Sequence, residues 1–221
     1  MHAKDELGFP QPYLIVSEMP RKGQYLVNMA KVDDLDATDA DSYSRGEVLG
    51  RLRVAKVIEF LHRHVPGFKN ARLVRTACRI GIRESRHLVG EHVLTVDEMI
   101  VREEYPDTIA MGGHHVDIHR REEKVIAAKR KIPKMVIFPD GYFIPYRCLL
   151  PRQIEGLLVA GRCMSSTQEA NGAVRVMGTC MAMGQAAGTA AALAAGQGVR
   201  PRQVKALELR KVLKEQGAVI N

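Results

Sequence analysis

The chain has 221 residues, of which 46% are hydrophobic and 26% charged, a balance typical of a globular protein large enough to bury a core. The formal net charge is +8, but the basic residues are spread along the chain without interleaved aromatic residues, which argues against nucleic-acid binding. The N-terminus lacks a basic and apolar leader, and the only long weakly polar run carries Thr179, Gln185 and Thr189, so we expect a cytoplasmic protein that does not cross a membrane.

The N-terminal third predicts a hairpin followed by a long helix. Residues 13–19 and 24–32 are predicted as two strands joined by a Pro-Arg-Lys-Gly turn. After an acidic connector, apolar residues recur at helical spacing up to Pro66-Gly67, which predicts a helix over 44–65. We expect the stripe on this helix to face the core; it comprises Val48, Leu52, Ala55, Ile58 and Leu61.

The rest of the chain predicts strands first and helices last. Residues 71–95 are expected to be extended, a short capped helix should follow Thr95, and "TIAMGGHHVDIH" indicates a further strand. An apolar run over 156–161 predicts a strand buried on both faces. Two helices are expected after it, over about 176–195 and about 203–216.

The helix over about 176–195 is built almost entirely from small residues. Gly184, Gly188 and Ala192 recur every four residues and therefore lie along one helix face. Glycine costs about 1 kcal/mol relative to alanine in a helix interior, so we expect a neighbouring backbone to pack closely on this face.

Five segments, in chain order, resemble one enzyme family. They are "IGIRESRHLVGEHVLT", "GGHHVDIH", "IPYRCLLP", "LLVAGR" and "EANGAVRVMGTCMAMGQAAGTAAAL". Together they resemble a bacterial branch of the FAD-dependent oxidoreductases, within the glutathione-reductase-like flavoprotein superfamily. The resemblance implies FAD as cofactor, a small-molecule substrate and hydride transfer between the two.

The resemblance also implies a mixed fold, α+β with α/β features. Residues 1–150 would form part of a substrate domain with a mixed or antiparallel sheet. Residues 151–221 would supply the last strand and helices of a Rossmann-like FAD-binding domain. The G-x-G-x-x-G turn that holds the FAD pyrophosphate in such domains does not occur in the sequence.

The missing fingerprint predicts that the chain corresponds to the C-terminal portion of such an enzyme and needs an N-terminal FAD-binding segment or chain. Three hypotheses follow: a truncated oxidoreductase, a substrate-domain subunit or interaction module for a separate FAD-binding chain, and a remnant that binds nothing. We also expect self-association, because a strand over 157–161 would present an open edge.

The resemblance implies six cofactor-binding residues in two groups. Gly161 and Arg162 would lie beside the ribityl chain and pyrophosphate, where a guanidinium can bind phosphate in a bidentate fork. The alternative for Arg162 is a surface arginine at the end of a strand. The second group would offer backbone N–H groups at a helix start to the flavin N1 and O2 edge; it comprises Arg175, Val176, Met177 and Gly178.

Three residues are candidates for catalysis. Arg83 would bind a carboxylate substrate, or it would belong to an ion-pair ladder with Glu84 and Arg86. His115 and His119, which share a strand face with Asp117, would form a polar substrate wall or act as acid and base. We expect no metal, because alternate residues on one strand rarely close a tetrahedral site and the four cysteines form no C-x-x-C pair.

Overall fold

The computed structural model describes residues 6–9, 13–118 and 136–220. The chain divides into two compact units between Ser85 and Arg86. The predicted boundary near residue 150 falls inside the second unit, so the assignment of substrate and FAD-binding portions stays a prediction. Mixed helices and small antiparallel sheets make up both units, which is an α+β architecture.

The first unit contains the predicted hairpin and long helix. Strands β1 (Ile15–Glu18) and β2 (Tyr25–Asn28) pair antiparallel, with Ile15 opposite Asn28. Helix α1 (Ala40–His64) begins four residues before its predicted start because Asp39 caps it, accepting a hydrogen bond from Ser42 N at 2.7 Å. A small core joins this helix to the N-terminal residues.

The predicted core stripe of α1 is wrong at its first three positions. Val48 and Leu52 are each 60% exposed, and Ala55 is also exposed. The buried face runs instead through Ser42, Gly46, Val57 and Leu61. A Cβ at Gly46 would lie 2.4 Å from Leu35 Cδ1, so a glycine supplies the packing surface that the apolar pattern assigned to larger side chains.

The second unit holds most of the buried core. Helix α2 (Val96–Ile100) precedes strand β3 (Thr108–Gly112), which pairs antiparallel with β4 (Tyr142–Pro145). After a 3₁₀ turn (Tyr146–Leu149) come helices α3 (Gln168–Val174) and α4 (Met177–Gln197). A second 3₁₀ turn (Pro201–Gln203) leads to α5 (Ala206–Glu215), and α4 packs against β3 and α5.

The predicted strand over 156–161 is wrong. These residues form no ladder; Val159 N donates a hydrogen bond to Leu149 O at 3.0 Å. The segment ends in a turn at Gly161, whose φ is +90°. An apolar segment forms a strand only when neighbouring strands supply hydrogen bonds. Because residues 156–161 form no strand, the open strand edge that was the basis for predicting self-association is absent.

Residues 71–95 are irregular apart from two isolated bridges, Gly90 to Pro151 and Leu94 to Ser166.

Helix α4 turns its small-residue face outward, contrary to the expectation that another element packs on it. The face that meets the core is formed by Thr179, Met183, Ala186, Ala190 and Ala194. Gly184, Gly188 and Ala192 are exposed, and no heavy atom lies within 4 Å of a Cβ added at either glycine. Within the described residues, no helix combines the length and hydropathy that a membrane crossing requires.

Candidate functional site

The joint between α3 and α4 brings two predicted cofactor-binding groups together. The Thr167 side chain caps α3, accepting from Ala170 N at 3.3 Å. Inside this short helix, the fully buried Asn171 donates from Nδ2 to the carbonyl oxygen of Arg162 at 2.8 Å. Asn171 therefore holds the Gly161–Arg162 turn to the helix that leads directly into α4.

The start of α4 is open. Its N-cap, Val176, has no side-chain acceptor, and the first intrahelical hydrogen bond runs from Cys180 N to Val176 O at 2.9 Å. The N–H groups of the first turn precede that bond and have no acceptor within the helix. Met177 is 83% exposed, and no heavy atom lies within 4 Å of a Cβ added at Gly178. The positive end of a long helix is therefore accessible.

The Gly161 turn lies against the first turn of α4. Met164 N donates to Gly161 O at 3.0 Å, which closes the turn. A Cβ at Gly161 would lie 4.0 Å from Cys180 Sγ. Burial raises the pKa of the Cys180 thiol, an effect that the neighbouring Arg162 guanidinium partly opposes. Arg162 is exposed, so a cationic side chain borders the open helix start.

Arg175 does not point into this opening. Its side chain is 11% exposed and pairs with Asp117, whose Oδ2 lies 3.2 Å from Nη2. The same Nη2 donates to the main-chain oxygen of Asp117. Gly172, on α3, permits this contact, because a Cβ there would lie 2.8 Å from Ile118 Cγ1. Of the predicted helix-start residues, Val176, Met177 and Gly178 border the opening. Arg175 instead ties the start of α4 to the 116–118 segment.

The roles predicted for His115 and His119 stay predictions, and the strand that was expected to carry them ends at Gly112. His115 is exposed and stacks on His114 with ring centroids 4.3 Å apart. Its predicted partner Asp117 faces Arg175, and His119 lies outside the described residues. Across the described ranges, no group of three His, Cys, Asp or Glu side chains is arranged to hold a metal ion.

Arg83 belongs to the first unit, whereas all the residues above belong to the second. It is exposed in a segment without regular secondary structure. Its predicted role at the flavin therefore stays a prediction.

Two site residues carried no site prediction from the sequence. Asn171 orders the Gly161–Arg162 turn, and its Oδ1 is buried without a hydrogen-bond partner among the described residues. Gly172 admits the 116–118 segment. The signal in the sequence was the adjacent Asn-Gly pair, which in isolation indicates a turn rather than the interior of a helix.

Comparison with known protein families gives one match for the chain. The model of the FAD dependent oxidoreductase family matches residues 3–213. The chain belongs to this family. Membership assigns a redox function with FAD as the cofactor. No curated protein and no solved structure matches the chain significantly.

The described residues fit one part of FAD better than another. An accessible helix start without a side-chain cap suits the electron-rich edge of an isoalloxazine ring. The start of α1 does not suit a diphosphate, because the Asp39 carboxylate occupies it and Asp41 adds a second negative charge. The start of α2 is closed by a capping box between Thr95 and Glu98.

Proposed function

We propose that the start of α4 faces the isoalloxazine ring of FAD and that the Gly161–Arg162 turn lies beside its ribityl chain and pyrophosphate. The observation that carries this proposal is the open N-terminus of α4 beside a positive-φ glycine turn. When bound, FAD supplies hydride transfer to or from a small molecule, as in the glutathione-reductase-like superfamily that the sequence resembles.

In this proposal the chain contributes charge and orientation. With FAD bound, the first-turn N–H groups of Met177 and Gly178 would meet the pyrimidine edge of the ring and would favour negative charge there. The Arg162 guanidinium lies at the phosphate or ribityl side. His115 forms a polar wall for the substrate or exchanges a proton with it.

We further propose that a segment with a G-x-G-x-x-G turn holds the pyrophosphate, since the 221 residues contain no such turn. The outward face of α4 supports this proposal. Gly184, Gly188 and Ala192 form an exposed row without a charged side chain, on a helix that contains no Lys, Arg, Asp or Glu. Such a row of small residues leaves room for a closely packed backbone. Residues 151–221 would thus complete a Rossmann-like FAD-binding domain.

The same open face favours a second candidate function. A chain that presents an uncovered helix face beside half of a cofactor site could act as a substrate-domain subunit or interaction module for a separate FAD-binding chain. The two candidates differ in where the pyrophosphate site is encoded, and both assign the flavin ring to α4.

The first test is flavin content. We expect the 221-residue chain, purified by gel filtration, to contain FAD far below one equivalent, because phosphate contacts normally anchor the dinucleotide. Absorbance at flavin wavelengths against protein concentration measures this ratio. A stoichiometric yellow protein would overturn the proposal that another segment holds the pyrophosphate.

The second test is the potential of bound flavin in the FAD-loaded protein. Val176→Asp would place a carboxylate beside the pyrimidine edge and destabilise the reduced ring by about 1 kcal/mol. We expect a potential lower by about 20 mV for the two-electron couple. Val176→Asn is the matched control, since it has the same shape without the charge. Equal potentials in the two variants, with flavin fully bound, would mean that α4 does not face the ring.

A further inference from the structure

Arg175 is unusually buried for a long cationic side chain. It is the C-cap residue of α3, with one residue, Val176, between it and the first residue of α4. Its side chain is 11% exposed, whereas Arg and Lys side chains are mostly exposed in proteins. A guanidinium withdrawn from water needs hydrogen-bond acceptors, because burying an unpaired charge is strongly unfavourable.

Asp117 supplies two of those acceptors. The guanidinium contacts both the side-chain oxygen and the main-chain oxygen of this one residue. The main-chain contact needs a particular position of the 116–118 backbone as well as the carboxylate. Arg175 therefore constrains where the segment lies and does more than neutralise a charge.

Two further contacts hold the same segment. Asp117 N donates to Gly172 O at 3.4 Å, and Val116 N donates to Val136 O at 3.1 Å. Gly172 has no room for a Cβ, which would lie 3.2 Å from Asp117 O. The residue immediately before this held segment is the exposed His115, stacked on His114.

We propose that Arg175 is a positioning residue that fixes the 116–118 segment, and with it the adjoining His114 and His115, to the start of α4. In this role it sets the place of His115 relative to the first-turn N–H groups. The inference rests on the proposed function, since it gives His115 a position at the flavin site. Arg175 acts through Asp117 and touches neither substrate nor cofactor itself.

The test compares local order around His115 in two variants and a control. Arg175→Lys keeps the charge but cannot make the forked contacts of a guanidinium. Asp117→Asn keeps the main-chain acceptor and removes the ion pair. The control is Arg147→Lys, because the Arg147 side chain, which is 43% exposed, also makes two guanidinium contacts to one residue in the same unit, the Asp107 carboxylate, at 3.0 Å and 3.2 Å. Each protein is examined without flavin, by amide hydrogen exchange and by the ring signals of His114 and His115 in NMR spectra.

We expect amide exchange over residues 114–118 to be at least tenfold faster in Arg175→Lys, with the His115 ring signals displaced. Asp117→Asn should show a smaller change of the same kind. Arg147→Lys should lower the melting temperature and leave both the exchange of 114–118 and the His115 signals unchanged.

Unchanged exchange and unmoved His115 signals in Arg175→Lys would overturn the proposal, even if the protein melts earlier. If Arg175→Lys does not fold, Asp117→Asn decides the question by the same two measurements. Because none of these measurements involves FAD, a failure here is distinguishable from a failure of the flavin assignment, which the potential of Val176→Asp tests.

Discussion

The two long helices of the chain handle their ends and surfaces in opposite ways. Helix α1 begins with a carboxylate cap at Asp39 and carries charged pairs along its surface, such as Glu47 with Arg51 and Glu59 with Arg63. Helix α4 has no charged residue, no side-chain cap and two exposed glycines in its interior. The start of α1 is therefore capped by a charged side chain of its own and its surface carries ion pairs, whereas α4 has neither feature.

The difference supports the proposal that another molecule or segment approaches α4 closely. Gly184 and Gly188 together cost about 2 kcal/mol relative to alanine, and no atom within 4 Å of either position requires a glycine. Val176 also leaves the helix start without a side-chain cap, which would stabilise the folded chain by about 1 kcal/mol. Contacts with FAD and with a segment that covers α4 would offset both costs. They would do so only when FAD and that segment are present.

The largest expected effect lies beneath α4, on the buried strand that supports it. A Cβ at Gly112 would lie 2.3 Å from the Cζ atom of the fully buried Tyr142 ring. We expect Gly112→Ala to lower the free energy of unfolding by about 3 kcal/mol, because a packed core cannot accommodate the added volume. Denaturation with urea measures this loss.

The neighbouring glycine provides the control for that substitution. No heavy atom lies within 4 Å of a Cβ added at Gly113, which is exposed. Gly113→Ala should change stability by about 0.5 kcal/mol or less. Similar losses at the two positions would contradict the close packing of Tyr142 on β3.

A smaller effect is expected at the two helix starts. In the flavin-free chain, Val176→Asp should raise the free energy of unfolding by about 1 kcal/mol, because a carboxylate at the N-cap accepts from a first-turn N–H group. The reverse change on α1, Asp39→Ala, should lower it by a similar amount. Thermal unfolding measures both. If Val176→Asp is neutral or destabilising, the first-turn N–H groups of α4 are not available to a carboxylate at the N-cap.

Most helices could be predicted from the sequence, because apolar spacing and capping residues act locally. The capped helix after Thr95 and the helix ending near Gln216 are examples. The strand over 156–161 could not be judged locally, since a strand depends on hydrogen bonds from segments distant in sequence. The buried face of α1 was missed because Gly46 packs without contributing an apolar side chain to the pattern.

The contacts around the candidate site could be predicted from the sequence only in part. The resemblance placed Gly161 and Gly178 in one site, and the structure brings their turns together through Asn171 and Cys180. The pairing of Arg175 with Asp117 joins residues 58 positions apart, and no local pattern indicates such a contact. The resemblance assigned the backbone N–H of Arg175 to the cofactor, whereas that N–H donates to the carbonyl oxygen of Asn171 at 3.1 Å.

The smallest expected effect tests the outward face of α4 directly. Gly188→Ala should raise the free energy of unfolding by about 0.5 to 1 kcal/mol, because helix propensity improves and the added methyl group meets open space. Gly46→Ala on α1 is the contrasting control, since its Cβ would meet Leu35 at 2.4 Å and the propensity gain should be lost. The comparison uses the urea concentration at the unfolding midpoint of each variant, with equal slopes of the unfolding free energy against urea concentration. A loss of stability in Gly188→Ala would show that this face is already covered in solution, by a second copy of the chain or by another element, and would remove the open face as support for a separate FAD-binding segment.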